Sequence, residues 1–301
     1  MYNFLVMDLL AVTYFITWLL IITFPILLGI FLIRKFQLPG KIWWIGAAIF
    51  ILSQVFHLPF NNFALDPLLA KLQAAFPGSL GFLFISLLAG LSAGVFEEGA
   101  RYGMFRWWLK DHRTWRNAVI AGAGHGGTEA IFLGLYLAYI YLNMIALRHA
   151  NLSMLNLAPD QLAVVQQQVQ QYWSTPWFST FIPFLERVFT IPFHIMASVL
   201  VLQVFTRRPG RQQFGWLGLA VLLHTFMDGS AVFIANQWNV YIAEAVLGGL
   251  AILDVIIIFA LRQPEPQAAD TAPPQPTIGA LPFTPKPVEE TIENLEKTRY
   301  Q

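Results

Sequence analysis

Apolar residues in this chain gather into seven long runs, at about residues 9–33, 42–59, 79–108, 117–147, 177–205, 214–235 and 240–261. Each approaches or exceeds the roughly 20 residues an α-helix needs to cross the hydrocarbon of a bilayer. None alternates as a transmembrane β-strand would, so helices must satisfy the backbone in lipid. The pattern predicts an all-α, polytopic membrane helix bundle of about seven transmembrane helices over residues 1–262. The first run is uncharged and too long for a signal-peptide core, with Asp8 rather than a basic residue ahead of it, so it reads as a retained span. Two polar loops, 61–78 and 151–175, hold short amphipathic stretches. In the second, from Asp160 to Trp173, apolar residues at helical spacing on a Gln-rich segment suit an interfacial helix. From Gln263 the chain turns polar and rich in Pro, so 263–301 is expected to be a disordered cytoplasmic tail, with room for a charged helical turn or two at 288–299.

Composition agrees: 56% of the 301 residues are hydrophobic and 12% charged, with a mean hydropathy of +0.57, outside the soluble globular range. The net charge of +1 is uninformative, but its distribution is not. Arg34, Lys35, Lys41, Arg106, Lys110, Arg113, Arg116, Arg207, Arg208, Arg211 and Arg262 fall on one side of a seven-span arrangement, against Lys71 and Arg148 on the other. The positive-inside rule then puts the N-terminus outside and the C-terminus in the cytoplasm. The chain has no cysteine, which excludes disulfides, a thiolate nucleophile and Cys-ligated zinc. Nothing points to nucleic acid; the expected surroundings are a bilayer, of the bacterial plasma (inner) membrane type.

Against that apolar background, ionisable residues inside the runs carry the functional signal, since each costs at least a few kcal/mol at bilayer depth. The third run holds Glu97-Glu98-Gly99-Ala100-Arg101, in which Arg101 lies i+4 from Glu97 and i+3 from Glu98, within pairing reach. The fourth holds Gly122-Ala123-Gly124-His125-Gly126-Gly127-Thr128-Glu129, with His125 and Glu129 on one face. Its glycines admit a close neighbour. The fifth holds Glu186-Arg187 and His194, and the sixth holds His224 and Asp228 at i, i+4. Glu97 lies nine residues from Arg106 and His125 nine from Arg116, so both sit about 14 Å from the basic end; His194 and His224 come out at roughly 15–18 Å. Packing bridges have no reason to gather at one depth, so the set reads as one active or transport site. Glu186-Arg187, nearer the outer end, reads as a structural pair, and His57, His112 and His149 lie at span ends or in loops. Gly90-Leu91-Ser92-Ala93-Gly94 matches G-x-S-x-G but lies within an apolar helix, so its glycines read as helix packing.

Glu97-Glu98-x-x-Arg101, the glycine-rich His125 helix and His224-x-x-x-Asp228 together resemble the CPBP superfamily of intramembrane proteases, which includes CAAX prenyl endopeptidases and bacteriocin-immunity proteins. The Gly124-His125-Gly126-Gly127-x-Glu129 stretch resembles its YhfC-like intramembrane metalloproteases. The resemblance implies an intramembrane endopeptidase acting on a membrane protein or peptide. Glu97 and His125 would activate water, Arg101 would orient Glu97 and Glu98, and His224 with residue 228 would stabilise the oxyanion. The chain departs from the CPBP pattern in three places. Arg101 comes one residue early, Ala121 stands where Phe is usual, and Asp228 replaces an Asn that could donate a hydrogen bond. Either burial keeps Asp228 neutral, or a divalent metal such as zinc is held by a set drawn from His125, His194, His224 and Glu129. The expected site opens toward the cytoplasmic half. The rival readings are a proton- or ion-coupled transporter using the same acids and histidines as a relay, and a non-catalytic immunity-type protein.

Overall fold

A computed structural model describes residues 2–207 and 213–264, with side chains from residue 9 onward. Among them, every regular element is helical: α1 (Tyr2–Phe36), α2 (Lys41–Phe60), α3 (Asp66–Ala75), α4 (Ser79–Gly103), α5 (Trp115–His149), α6 (Pro159–Ser174), α7 (Ile182–Thr206), α8 (Gly215–Gln237) and α9 (Val240–Ala260). Seven helical stretches are long and apolar enough to cross a membrane, as the hydrophobic runs predict. The tail beyond Pro264, with its predicted disorder and terminal helical turns, lies outside the described residues, as do Arg208 and Arg211.

Boundaries follow local chemistry. Thr114 caps α5, its hydroxyl accepting from the Asn117 amide, and Asn239 caps α9 through the Ile242 amide. The amphipathic stretch from Asp160 becomes α6, with Pro159 in its first turn, where a missing N–H costs nothing. One loop differs from expectation. A wide helical turn, Asn61–Leu65, joins α2 to α3, so the second spanning stretch runs unbroken over Lys41–Ala75. A residue-by-residue hydropathy reading ends the span at Pro59, whereas the backbone continues helical through it.

α7 is buried over most of its surface, packed by α5, α9 and α8 with smaller contributions from α1 and α4. α5 is flanked by α1, α2 and α7, and α4 lies along α8. Glycines set the closest approaches. A Cβ on Gly124 of α5 would stand 2.0 Å from the Trp43 carbonyl oxygen of α2, and one on Gly46 would stand 1.9 Å from that of Ala121, so the two backbones touch where His125 projects. Gly90 and Gly94 meet the α8 backbone in the same way, in keeping with their reading as packing residues. Large apolar side chains such as Leu27, Leu222 and Ile252 face outward, 64–65% exposed, as lipid-facing positions do.

Candidate active site

The eight ionisable residues read as one site come together around one buried carboxylate. Glu97 on α4 is at the centre. Its Oε2 lies 3.0 Å from His125 Nε2 of α5, 4.0 Å from His194 Nδ1 of α7, 3.9 Å from His224 Nε2 of α8 and 3.8 Å from the Arg101 guanidinium. Its Oε1 accepts from Gln54 Nε2 of α2 at 3.2 Å. Helical spacing accounts for the rest of α4. Arg101 turns back onto Glu98, and Glu98 Oε1 also meets His224 Nδ1 at 2.8 Å. Glu98 and Arg101 are wholly buried, and Glu97, His125, His194 and His224 nearly so.

Hydrogen-bond logic fixes two imidazoles. Arg101 Nη2 lies 2.7 Å from His194 Nδ1, and a guanidinium only donates, so Nδ1 accepts and the ring proton sits on Nε2. That Nε2–H points to Glu129 Oε2, 2.7 Å away. On His224, Nδ1–H donates to Glu98, while Nε2 faces Glu97 and, at 3.4 Å, Asp228 Oδ2. Two histidines thus each have a carboxylate behind them, the outer-shell arrangement that orients metal-binding imidazoles. His125 Nδ1 has no hydrogen-bond partner among the described residues, and the imidazole lies edge-on to the Phe50 ring.

Several expectations change. Arg187 is more than half of a local pair, because it binds both Glu186 and, at 2.6 Å, Glu129 Oε1, clamping the carboxylate that holds His194. Asp228 has a side chain 42% exposed, so the burial that one account of this residue required is absent. A cavity of about 80 Å3 reaches Glu97, His194 and His224 and is also lined by Glu129, Glu186, Arg187, Asp228 and Ala231. In chain order those residues lie beyond the central set, away from the Lys- and Arg-rich helix ends. The cavity therefore runs toward the opposite end from the one expected. Sequence reasoning passed over Gln54 and set aside His57 and Ser92. His57 is buried, with its Nε2 3.0 Å from the Ser92 hydroxyl, which in turn donates to Asn61 Oδ1. The available signal was Gln54, His57 and Asn61 at i, i+3 and i+7, one polar stripe on an apolar helix.

The YhfC intramembrane metalloprotease family model matches residues 20–249 of the chain, a span that contains every residue of this cluster. The chain belongs to that family. Among YhfC relatives, the Bacillus subtilis (strain 168) protein described as "Uncharacterized membrane protein YhfC" is 29% identical over 241 residues, which is 77% of this chain and 90% of that protein. No solved structure matches. The YhfC match identifies an integral membrane protein whose family is described as metalloproteases, so the fit of a metal is testable on its geometry. Glu97, His125 and His194 each offer one ligand atom, and these lie within 4.8 Å of one another. One carboxylate and two imidazoles are a donor set that zinc accepts with a position left for water. Arg101 Nη2 donates to the His194 Nδ1 lone pair that a metal would take, so the residues fit a metal once the guanidinium gives up that contact. His224, grouped with His125 and His194 in the sequence reading, stands beside this trio, its Nε2 3.9 Å from Glu97 Oε2.

Proposed function

We propose that the chain is an intramembrane endopeptidase of the bacterial plasma membrane, hydrolysing peptide bonds of membrane proteins or peptides with water activated by Glu97 and His125. The observation that carries this reading is the convergence of Glu97, His125 and His194 from three helices, with Glu98 and Glu129 bracing His224 and His194. The likeness of the Glu97-Glu98, His125 and His224 motifs to CPBP proteases supports it. A divalent cation such as zinc, held by Glu97, His125 and His194, would acidify the attacking water and polarise the peptide carbonyl. Gln54 fixes Glu97 Oε1, so Oε2 faces the water, as a ligand when the cation is held and as the proton acceptor when it is not. The same carboxyl returns that proton to the leaving nitrogen. His224, protonated on both nitrogens, donates from Nδ1 to Glu98 and from Nε2 into the cavity, where the tetrahedral oxyanion forms. Asp228 orients Nε2–H and accepts rather than donates. Arg101 pairs with Glu98 opposite His224. The membrane bundle 1–262 carries all of this, and 263–301 is an accessory tail.

The test is a comparison of membrane proteomes from cells carrying the wild type, Glu97→Gln or His125→Ala. Membrane proteins should persist uncut in both variants. If none accumulates and the purified protein moves protons across liposomes, the same residues form a relay and the reading falls. Elemental analysis of the purified wild type should find about one zinc per chain, lost in His194→Ala.

A further inference from the structure

A groove of about 800 Å3 runs along the outside of the bundle between α7 and α9. Leu185, Phe189 and Pro192 wall one side, and Ala245, Gly248 and Ile252 the other. Leu185 and Ile252 are 41% and 65% exposed, so the groove faces the lipid. One residue in it is out of place. Glu244 lines the groove, is 6% exposed, and its Oε2 has no hydrogen-bond partner among the described residues. A buried carboxylate oxygen without a donor is unfavourable unless something supplies one. Acyl chains fill apolar walls but cannot do that.

Position links the groove to the reaction. α9 packs chiefly on α7 and α8. Its Leu247 lines the catalytic cavity while the adjacent Gly248 lines the groove. Glu186 and Arg187 line the cavity's outer part, and Leu185, next to them in α7, lines the groove. A Cβ on Gly248 would stand 3.1 Å from the Phe189 ring, so the missing side chain keeps the floor between the helices open.

We propose that the α7/α9 groove receives the spanning helix of a substrate, with a Lys or Arg of that helix paired to Glu244. The proposal rests on the endopeptidase reading for what happens next. Charge complementarity selects the occupant, since a basic side chain supplies the donor that Glu244 Oε2 lacks among the described residues.

The test uses the full chain in phosphatidylcholine/phosphatidylglycerol nanodiscs with a benzophenone amino acid at position 252. The probes are polyleucine peptides of about 20 residues bearing Lys, Leu or Asp at one guest position. The Lys peptide should crosslink about tenfold more than the Leu peptide, the ratio expected for one charge-assisted hydrogen bond. Glu244→Leu should erase that preference and Glu244→Lys should transfer it to the Asp peptide, with thermal melting confirming that each variant is folded. Equal crosslinking of all three peptides by the wild type overturns the proposal and leaves the groove an ordinary lipid-facing seam. Crosslinking does not require hydrolysis, so the Lys preference should survive in Glu97→Gln. If the preference holds while no membrane protein accumulates uncut, docking stands and the endopeptidase reading falls.

Discussion

Arg101 stands between two histidine systems. It neutralises Glu98 on one side and donates a hydrogen bond to His194 on the other, and removing it leaves Glu98 buried with His224 as its remaining partner among the described residues. Loss of one partner of a buried pair costs about 3–5 kcal/mol. Arg101→Met should therefore lower the thermal midpoint in detergent sharply, and the double variant Arg101→Met/Glu98→Leu should recover much of the loss; equal melting of the single and double variants would refute the pairing. Gln54 acts at longer range. Its amide is the one side-chain group bonded to Glu97 Oε1 among the described residues, and a hydrogen bond to a charged group contributes about 1.5–3 kcal/mol. Gln54→Leu should cut kcat roughly 10- to 100-fold with KM little changed. The eight ionisable residues were legible because lipid makes each one anomalous and because helix rise converts sequence position into depth. Gln54, His57 and Ser92 were not, since an uncharged amide, a histidine near a span end and a serine are all ordinary in a membrane helix. Their role depends on which face α2 turns toward α4.

Among elements, the contact between α2 and α5 is the one that places His125. Backbone meets backbone there, so Gly124→Ala and Gly46→Ala should each destabilise the protein in a detergent melt. Gly99→Ala, whose Cβ would meet nothing within 4 Å, should be neutral or slightly stabilising, Ala being the better helix former. The glycine run announced a close neighbour in the sequence without saying which. Spans could be read to within a few residues at most ends, because hydropathy and caps are local properties. The cavity's direction could not. It depends on where α7, α8 and α9 leave a gap, and no single helix encodes that. The continuous stretch from Lys41 to Ala75 escaped notice for a related reason: Pro59 and the polar Asn61-Asn62 look like a span end, and only the wide turn Asn61–Leu65 carries the helix past them.

For the molecule as a whole, the lack of cysteine makes orientation easy to test. Lys110→Cys and Gln166→Cys replace exposed residues at opposite ends of the bundle. On intact cells a membrane-impermeant maleimide should label the second and spare the first; the reverse pattern would invert the proposed topology. A chain ended after Pro264 should insert, melt and cleave as the full chain does, since the described core lies before that point. A different cleavage rate would give the tail a working role.

The cavity beside Glu97 measures about 80 Å3, whereas pockets that hold small ligands occupy about 300–1,000 Å3. It can store a few water molecules, each with a share of about 30 Å3 in the liquid, but no stretch of polypeptide. Before a peptide bond can reach Glu97, α7, α8 or α9 must move aside and then close again. Such helix displacements take microseconds to milliseconds or longer. Under the proposed endopeptidase mechanism, turnover should then follow the stiffness and thickness of the surrounding bilayer, so that the lipid sets the clock of the reaction while the carboxylates and histidines set its chemistry.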